Sequence, residues 1–267
     1  MGPAPDPLGP LIEALHAHGR LRVWSLVVTV FGDAVAPRGG RIATARLGEI
    51  TARVGVGEGA LRTALSRLVA EGTLERDRKG RASFHRLSEG AAREAAAASA
   101  VIYGPGPGPE GWTLGTGPGP PRALVLPDGA WLTRDPPPAG AVAVTGRLSQ
   151  GAAVTPEPTH ARALAALRAD LHALPARPSP PEAEGDEMRR RDGSLAPIDA
   201  MAARTLLVHR WRRIALRWPD LPGGGADRAA VAAAHRRLSP ASERWLDEAI
   251  GPGIGSGAAV RAEDRFG

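Results

Sequence analysis

A chain of 267 residues with 43% hydrophobic content is long enough for two or three modest domains, but with 4% aromatic residues its core must be filled mainly by Leu, Val and Ala. The formal charge is +6, and residues 20–90 alone hold 13 Lys or Arg against 7 Asp or Glu, so the basic excess sits in that segment and favours a polyanionic partner there. The absence of cysteine excludes a disulfide framework, cysteine-ligated zinc and cysteine catalysis and fits a reducing cytoplasm; no apolar run nears the roughly 20 residues of a membrane span, and the start MGPAPDPLGP does not resemble a signal peptide.

In chain order, residues 1–9 are expected to be a flexible arm, and Leu11 to Ala17 and Trp24 to Phe31 read as helices. The second, WSLVVTVF, is apolar enough to be a buried spine. Leu47, Ile50 and Val54 mark a short amphipathic helix that stops at Gly55-Val56-Gly57. A second helix follows, with Leu61, Ala64, Leu65, Leu68 and Val69 on one apolar face. Its other face carries Arg62, Thr63, Ser66 and Arg67, within an arc of roughly 140° at about 100° per residue. Arg reads guanine with two hydrogen bonds, and Ser and Thr reach phosphates or base edges. Leu74 to Arg78 and Ala82 to Leu87 then read as two strands joined around Lys79-Gly80-Arg81. The hairpin is basic: Arg76, Arg78, Lys79, Arg81 and Arg86 stand against Asp77, as a phosphate or minor-groove contact requires. Two helices with a tight turn, followed by a basic hairpin, are the layout of a winged helix-turn-helix, so residues 10–88 are expected to be a DNA-binding domain.

An Ala-rich helix at 89–103 connects this domain to the rest. Gly104 to Pro109 and Gly115 to Pro121 read as linker, because alternate prolines lack the N–H groups of a phosphate cradle. Short strands are expected at Gly111 to Leu114, Ala123 to Leu126, Ala130 to Leu132 and Ala141 to Val144, within a central region at 104–155. The remainder, 156–250, reads as helical, with segments at His160 to Leu174, Ala203 to Trp218 and Pro240 to Ile250, a Pro/Glu-rich loop between the first two, and a flexible tail at 251–267. Along Ala203 to Trp218, Leu207, Trp211, Ile214, Ala215 and Trp218 form a core stripe, while Arg210, Arg213 and Arg217 form a second one.

Two blocks, GEGALRTALSRLVAEGTLERDRKGRASFHRLSEGAAREAAAASAVIYG and ARTLLVHRWRRIALRWPDLP, resemble the N-terminal and C-terminal parts of the PaaX-like bacterial transcriptional repressors. The resemblance implies an α+β protein: an N-terminal winged helix-turn-helix, a ferredoxin-like centre similar to the small CRISPR-associated Cas2 nuclease fold, here shortened, and a mostly α-helical C-terminal domain. It further implies a cytoplasmic, homodimeric repressor of a catabolic operon, such as phenylacetate catabolism, that binds a double-stranded DNA operator and is released by an acyl-CoA effector such as phenylacetyl-CoA. Arg210, Trp211, Arg213 and Arg217 are the candidate effector contacts, since arginine forks bind phosphate and indole rings stack on a purine or aryl group. No bound cofactor, metal or catalytic residue is expected: GxSxG, Walker and HExxH patterns are missing and the seven histidines stand mostly singly. Two alternatives stand beside this reading. One is a winged-helix protein without effector sensing. The other is a Cas2-like nuclease, whose only candidate ligands in the central stretch are Glu110, Asp128 and Asp135.

Overall fold

The computed structural model describes residues 6–17, 21–106, 110–121, 123–148, 158–174, 195–218, 225–250 and 265–266. They form an α+β protein dominated by helices. The first helix is α1 (Gly9–Ala17), and α2 (Val23–Val30) is the expected spine, with Ser25, Leu26, Val27, Thr29 and Val30 all buried. The spine does not end at Phe31. It runs on through a π-helical segment, Phe31–Val35, and a 3-10 turn, Ala36–Arg38.

A short strand, β1 (Ile42–Ala43), leads into α3 (Thr44–Arg53), where Leu47, Ile50 and Thr51 are buried. The turn closes through Val56 N–H to the Thr51 carbonyl (2.9 Å), and α4 (Glu58–Ala70) follows, burying Leu61, Ala64, Leu65 and Leu68. The hairpin is β2 (Leu74–Lys79) and β3 (Ala82–Leu87), with Gly80 at φ +61° supplying the left-handed turn residue. These strands and β1 make an antiparallel sheet in the order β1-β3-β2. The Thr44 hydroxyl donates to the Ser83 carbonyl (3.0 Å), pinning the start of α3 to the hairpin.

Helix α5 (Glu89–Tyr103) starts on Ser88, whose side chain accepts from the Ala91 N–H (3.3 Å). The central region then holds β4 (Trp112–Thr116), β5 (Leu124–Val125), β6 (Trp131–Thr133) and β7 (Val142–Gly146) in one antiparallel sheet, order β5-β6-β4-β7. Here the structure departs from two expectations. A ferredoxin-like unit carries helices on its sheet, yet the described residues from Gly104 to Leu148 contain strands and no helix; the density of proline and glycine in this stretch opposes helix formation. Gly115, read as linker, lies inside β4. The Trp131 indole covers it so closely that a Cβ there would come within 2.3 Å of the ring, so the glycine serves a close approach.

The C-terminal helices are α6 (Pro158–Ala173), α7 (Pro197–Arg217) and α8 (Gly225–Ile250). Helix α8 begins fifteen residues before the expected start at Pro240 and carries that proline in its interior. Val231, Ala234, Leu238, Ala241 and Trp245 continue one buried face across the proline. Burial of about 1.5–3 kcal/mol per large side chain offsets the roughly 3 kcal/mol cost of an internal proline.

One core joins α1, the end of α5, α6, α7 and α8. A second fills the space beneath α2, α3, α4 and the hairpin, and Met201 of α7 with Trp245 and Leu246 of α8 belong to it. The two are also tied by charge. Asp33, in the π-helical segment, receives Arg204 Nε (2.7 Å) and the Tyr103 hydroxyl (2.5 Å), and Arg265 Nη1 donates to its carbonyl (2.6 Å). Arg204 also reaches Glu243 (2.6 Å). Burial alone would raise the Asp33 carboxyl, but Arg204, His235 and Arg265 outweigh it and hold the group well below the usual carboxylate range.

Candidate nucleic-acid interface

The apolar stripe of α4 faces inward, and this leaves Arg62, Thr63, Ser66 and Arg67 exposed, as its spacing predicts. The structure divides the four into two rows. Arg62 and Ser66, one turn apart, line a groove of about 1060 Å³ together with Gly48 of α3 and Arg76, Arg81 and Ser83 of the hairpin. Thr63 and Arg67 lie outside that lining. The Thr63 hydroxyl donates to the Gly59 carbonyl (3.0 Å), and Arg67 pairs with Glu71 (2.7 Å) while its guanidinium sits 5.3 Å from the Trp24 ring.

The strand period puts Arg76 and Arg78 on one hairpin face, opposite His85 and Ser83 respectively. Arg76 Nε donates to Ser83 Oγ (2.7 Å). Arg78, Lys79 and Arg81 are exposed and form no ion pair among the described residues. Arg86 is instead matched by Glu75 (2.6 Å). Arg62 pairs with Glu58 (2.9 Å) on the exposed face of α4, a link of at most about 1 kcal/mol that a phosphate or base can displace. The groove therefore holds Arg62, Arg76 and Arg81 from two elements with Ser66 and Ser83, against Glu49 and Glu58, and its cationic excess suits a polyanionic duplex.

The predicted effector residues do not all meet. Arg210, Arg213 and Arg217 do, lining a cleft of about 760 Å³ with Trp218. Arg210 is committed to the buried Asp170. Arg213 and Arg217 are exposed without ion pairs among the described residues, and Arg217 lies 4.8 Å from the Trp218 ring. Trp211 faces away: it is buried, its Nε1 donates to the Ile102 carbonyl (2.8 Å), and Arg228 lies over its ring (5.1 Å). Its place in the core stripe wins over the stacking role.

The cleft also contains Arg22 and Trp24 at the start of α2 and Arg162 of α6, which sequence reasoning missed. They lie far from the arginine stripe in the chain, and no periodicity connects them. Ser25 and His209 sit at its base, and His209 Nδ1 meets Thr29 Oγ1 (2.9 Å). Burial, then Arg212, Arg213 and Arg210, push the His209 imidazole down to about 3.

Of the acids weighed for a nuclease, Glu110 pairs with Arg147 (3.2 Å) and Asp128 accepts the Ala130 N–H (3.1 Å). Among the described residues no group of three or more His, Asp or Glu side chains could hold a metal ion, and no helix is long and apolar enough to cross a membrane.

An uncharacterized protein of Mycobacterium tuberculosis of known structure overlaps 77% of this chain and 90% of its own, at 19% identity and a TM-score of 0.43. The transcriptional repressor PaaX of Escherichia coli is 40% identical over 79 residues, which are 30% of this chain and 25% of the repressor. The sequence model of the family described as PaaX-like protein matches residues 22–91. The resemblance read from the sequence is thus shown by the family model for the stretch from α2 through the hairpin, and the chain spans about a quarter of the length of the bacterial transcriptional repressor it matches.

Proposed function

We propose that this chain is a DNA-binding transcriptional regulator, a repressor of a catabolic operon, whose α3, α4 and hairpin act as a winged helix-turn-helix. The observation that carries the reading is the shared groove: Arg62 and Ser66 of α4 face the same space as Arg76 and Arg81 of the hairpin. Helix α4 enters the major groove and the hairpin tip, with Arg78 and Lys79, holds the flanking phosphates.

Two copies bind a two-fold operator, and β7 supports their pairing. It is a sheet edge without charge or proline, and Val142 and Val144 on it are 76% and 72% exposed. The likeness to a repressor favours a regulator over an enzyme and over the Cas2-like nuclease reading.

The second part of the proposal is the effector. An acyl-CoA such as phenylacetyl-CoA would seat its phosphates on Arg22, Arg162, Arg213 and Arg217, with Trp24 as the stacking surface, since the Trp218 ring already stacks on His160 (4.4 Å between centroids). Because Trp24 belongs to α2 and touches Arg67 of α4, occupancy of the cleft bears on the recognition helix. The test is binding to duplex DNA from the region upstream of its own gene, with and without a panel of CoA thioesters. One thioester is expected to release the DNA, and Arg213→Ala to blunt the release while leaving DNA affinity nearly intact. If none alters binding, the effector reading fails and the DNA-binding reading stands; if the duplex binds no better than random DNA, the regulator itself is refuted.

A further inference from the structure

Arg212 of α7 is a largely buried cation without an anion. It donates from Nη2 to Ser25 Oγ (3.0 Å), its Nε is buried without an acceptor, and no carboxylate among the described residues pairs with it. Two other arginines of the same helix are matched by carboxylates, Arg204 by Asp33 and Glu243 and Arg210 by Asp170, while Arg213 and Arg217, unpaired among the described residues, are exposed to water. Arg228 also lacks a carboxylate among the described residues, but it donates to the carbonyls of Val101, Ile102 and Gly104. Burial, with Arg213 beside it, pushes the Arg212 guanidinium below its ordinary value. A buried charge of this kind costs folding energy until an anion joins it.

Arg212 lines a cavity of about 190 Å³ that is separate from the arginine cleft. Its walls are mostly apolar: Val28 of α2, Leu87 at the end of the hairpin, Ala95, Ala98 and Ile102 of α5, and Val208 of α7. A dry apolar cavity of about 150 Å³ holds a benzene ring. This one has room for a ring or a chain of about six carbons with a carboxyl group attached.

We propose that the cavity and Arg212 form a binding site for a small monocarboxylic acid with a compact apolar body, an aryl or short alkyl carboxylate, whose carboxylate pairs with the Arg212 guanidinium. One negative charge balances Arg212, the cation in the cavity wall, whereas a phosphate dianion would leave a net charge against apolar walls. Two acids also border the cavity. Asp33 has its charge taken up by Arg204 and Arg265, and Glu94 is exposed to water on α5. The two sites differ in lining residues and ligand size and meet through Ser25, which accepts from Arg212 and sits at the base of the acyl-CoA cleft; neither reading rests on the other. Its occupant would bridge α7, α5 and the base of the hairpin, where Thr73 and Leu87 line the wall.

The test uses the full chain, with thermal denaturation and calorimetric titration against benzoate and hexanoate. Benzamide, chloride and inorganic phosphate at matched ionic strength are the controls. At least one acid is expected to raise the melting temperature and to bind saturably, and the controls are not. Arg212→Met is expected to weaken that binding at least about tenfold, the loss of a charge-assisted pair, and to leave the ligand-free protein as stable or more so. Ala95→Leu fills the cavity with Arg212 intact and is expected to abolish binding, which decides the matter should Arg212→Met not fold. Arg162→Ala, in the neighbouring cleft, is expected to leave benzoate binding unchanged. The proposal is overturned if neither acid binds up to about 10 mM, if phosphate or chloride matches the acids, or if Ala95→Leu or a folded Arg212→Met binds like the parent.

Discussion

Replacing Arg78, Lys79 and Arg81 together with alanine tests the hairpin as a phosphate contact. All three are exposed and make no ion pair among the described residues, so the change orphans no partner and folding stability should move by less than about 0.5 kcal/mol. Each lost phosphate contact removes about 0.9 from the slope of log affinity against log salt, so three remove about 2.7. Between about 50 and about 200 mM salt, a fourfold change, the parent should therefore lose roughly 40-fold more affinity than the variant. The loss should be the same on specific and random duplexes, because phosphates carry no sequence. Arg86 provides the internal comparison: Glu75 already neutralises it at 2.6 Å, so Arg86→Ala should change the slope by much less than one unit. Fluorescence anisotropy across a salt series measures all of this. Parallel slopes for the parent and the triple variant would show that the hairpin is a solvated surface and that its charge does not touch DNA.

On α4, Arg62→Ala is expected to cost about 1–3 kcal/mol on the specific duplex and little on random DNA. Arg67→Ala should cost less, since Arg67 lies outside the groove on Glu71 and Trp24; a larger loss at Arg67 would mean that the helix docks by its other row. Leu65, 4% exposed, acts through the core, and Leu65→Ala should lower stability by about 2–5 kcal/mol in urea denaturation without selecting between duplexes. The pH dependence rests on His209. The unfolded chain protonates this residue near 6.5 and the folded chain only at about 3, so stability present above pH 6.5 is lost as the pH falls between those values. At about 1.4 kcal/mol per unit, the drop from pH 7 to pH 5 attributable to His209 is about 2 kcal/mol. His209→Gln should shrink the pH 7 to pH 5 difference by that amount, and an equal drop in both proteins would refute the assignment.

The local patterns were readable from the chain alone. The 3.6-residue spacing of Leu61, Ala64, Leu65 and Leu68 determined which face of α4 turns inward, and so which residues remain outside. Alternation and Gly80 determined the hairpin, and the basic run between Arg76 and Arg86 marked its charge. These features depend on residues within a few positions of one another, and the backbone geometry that relates such residues is the same in every helix or strand.

What depended on distant segments was decided only by packing. That Arg22 and Arg162 join Arg213, that Trp211 turns into the core while Trp218 stays at the cleft, and that Arg212, among the described residues, lacks the carboxylate that Arg204 and Arg210 possess are relations set by the packing of α2, α6 and α7 with their surroundings. The same holds for Pro240, which reads as a helix start in the chain but lies inside α8 because the buried face on either side of it outweighs one missing hydrogen bond. A sequence states the period of each element. The partner that each face meets follows from the free energy of the assembled core, to which contacts hundreds of residues apart contribute as much as near ones.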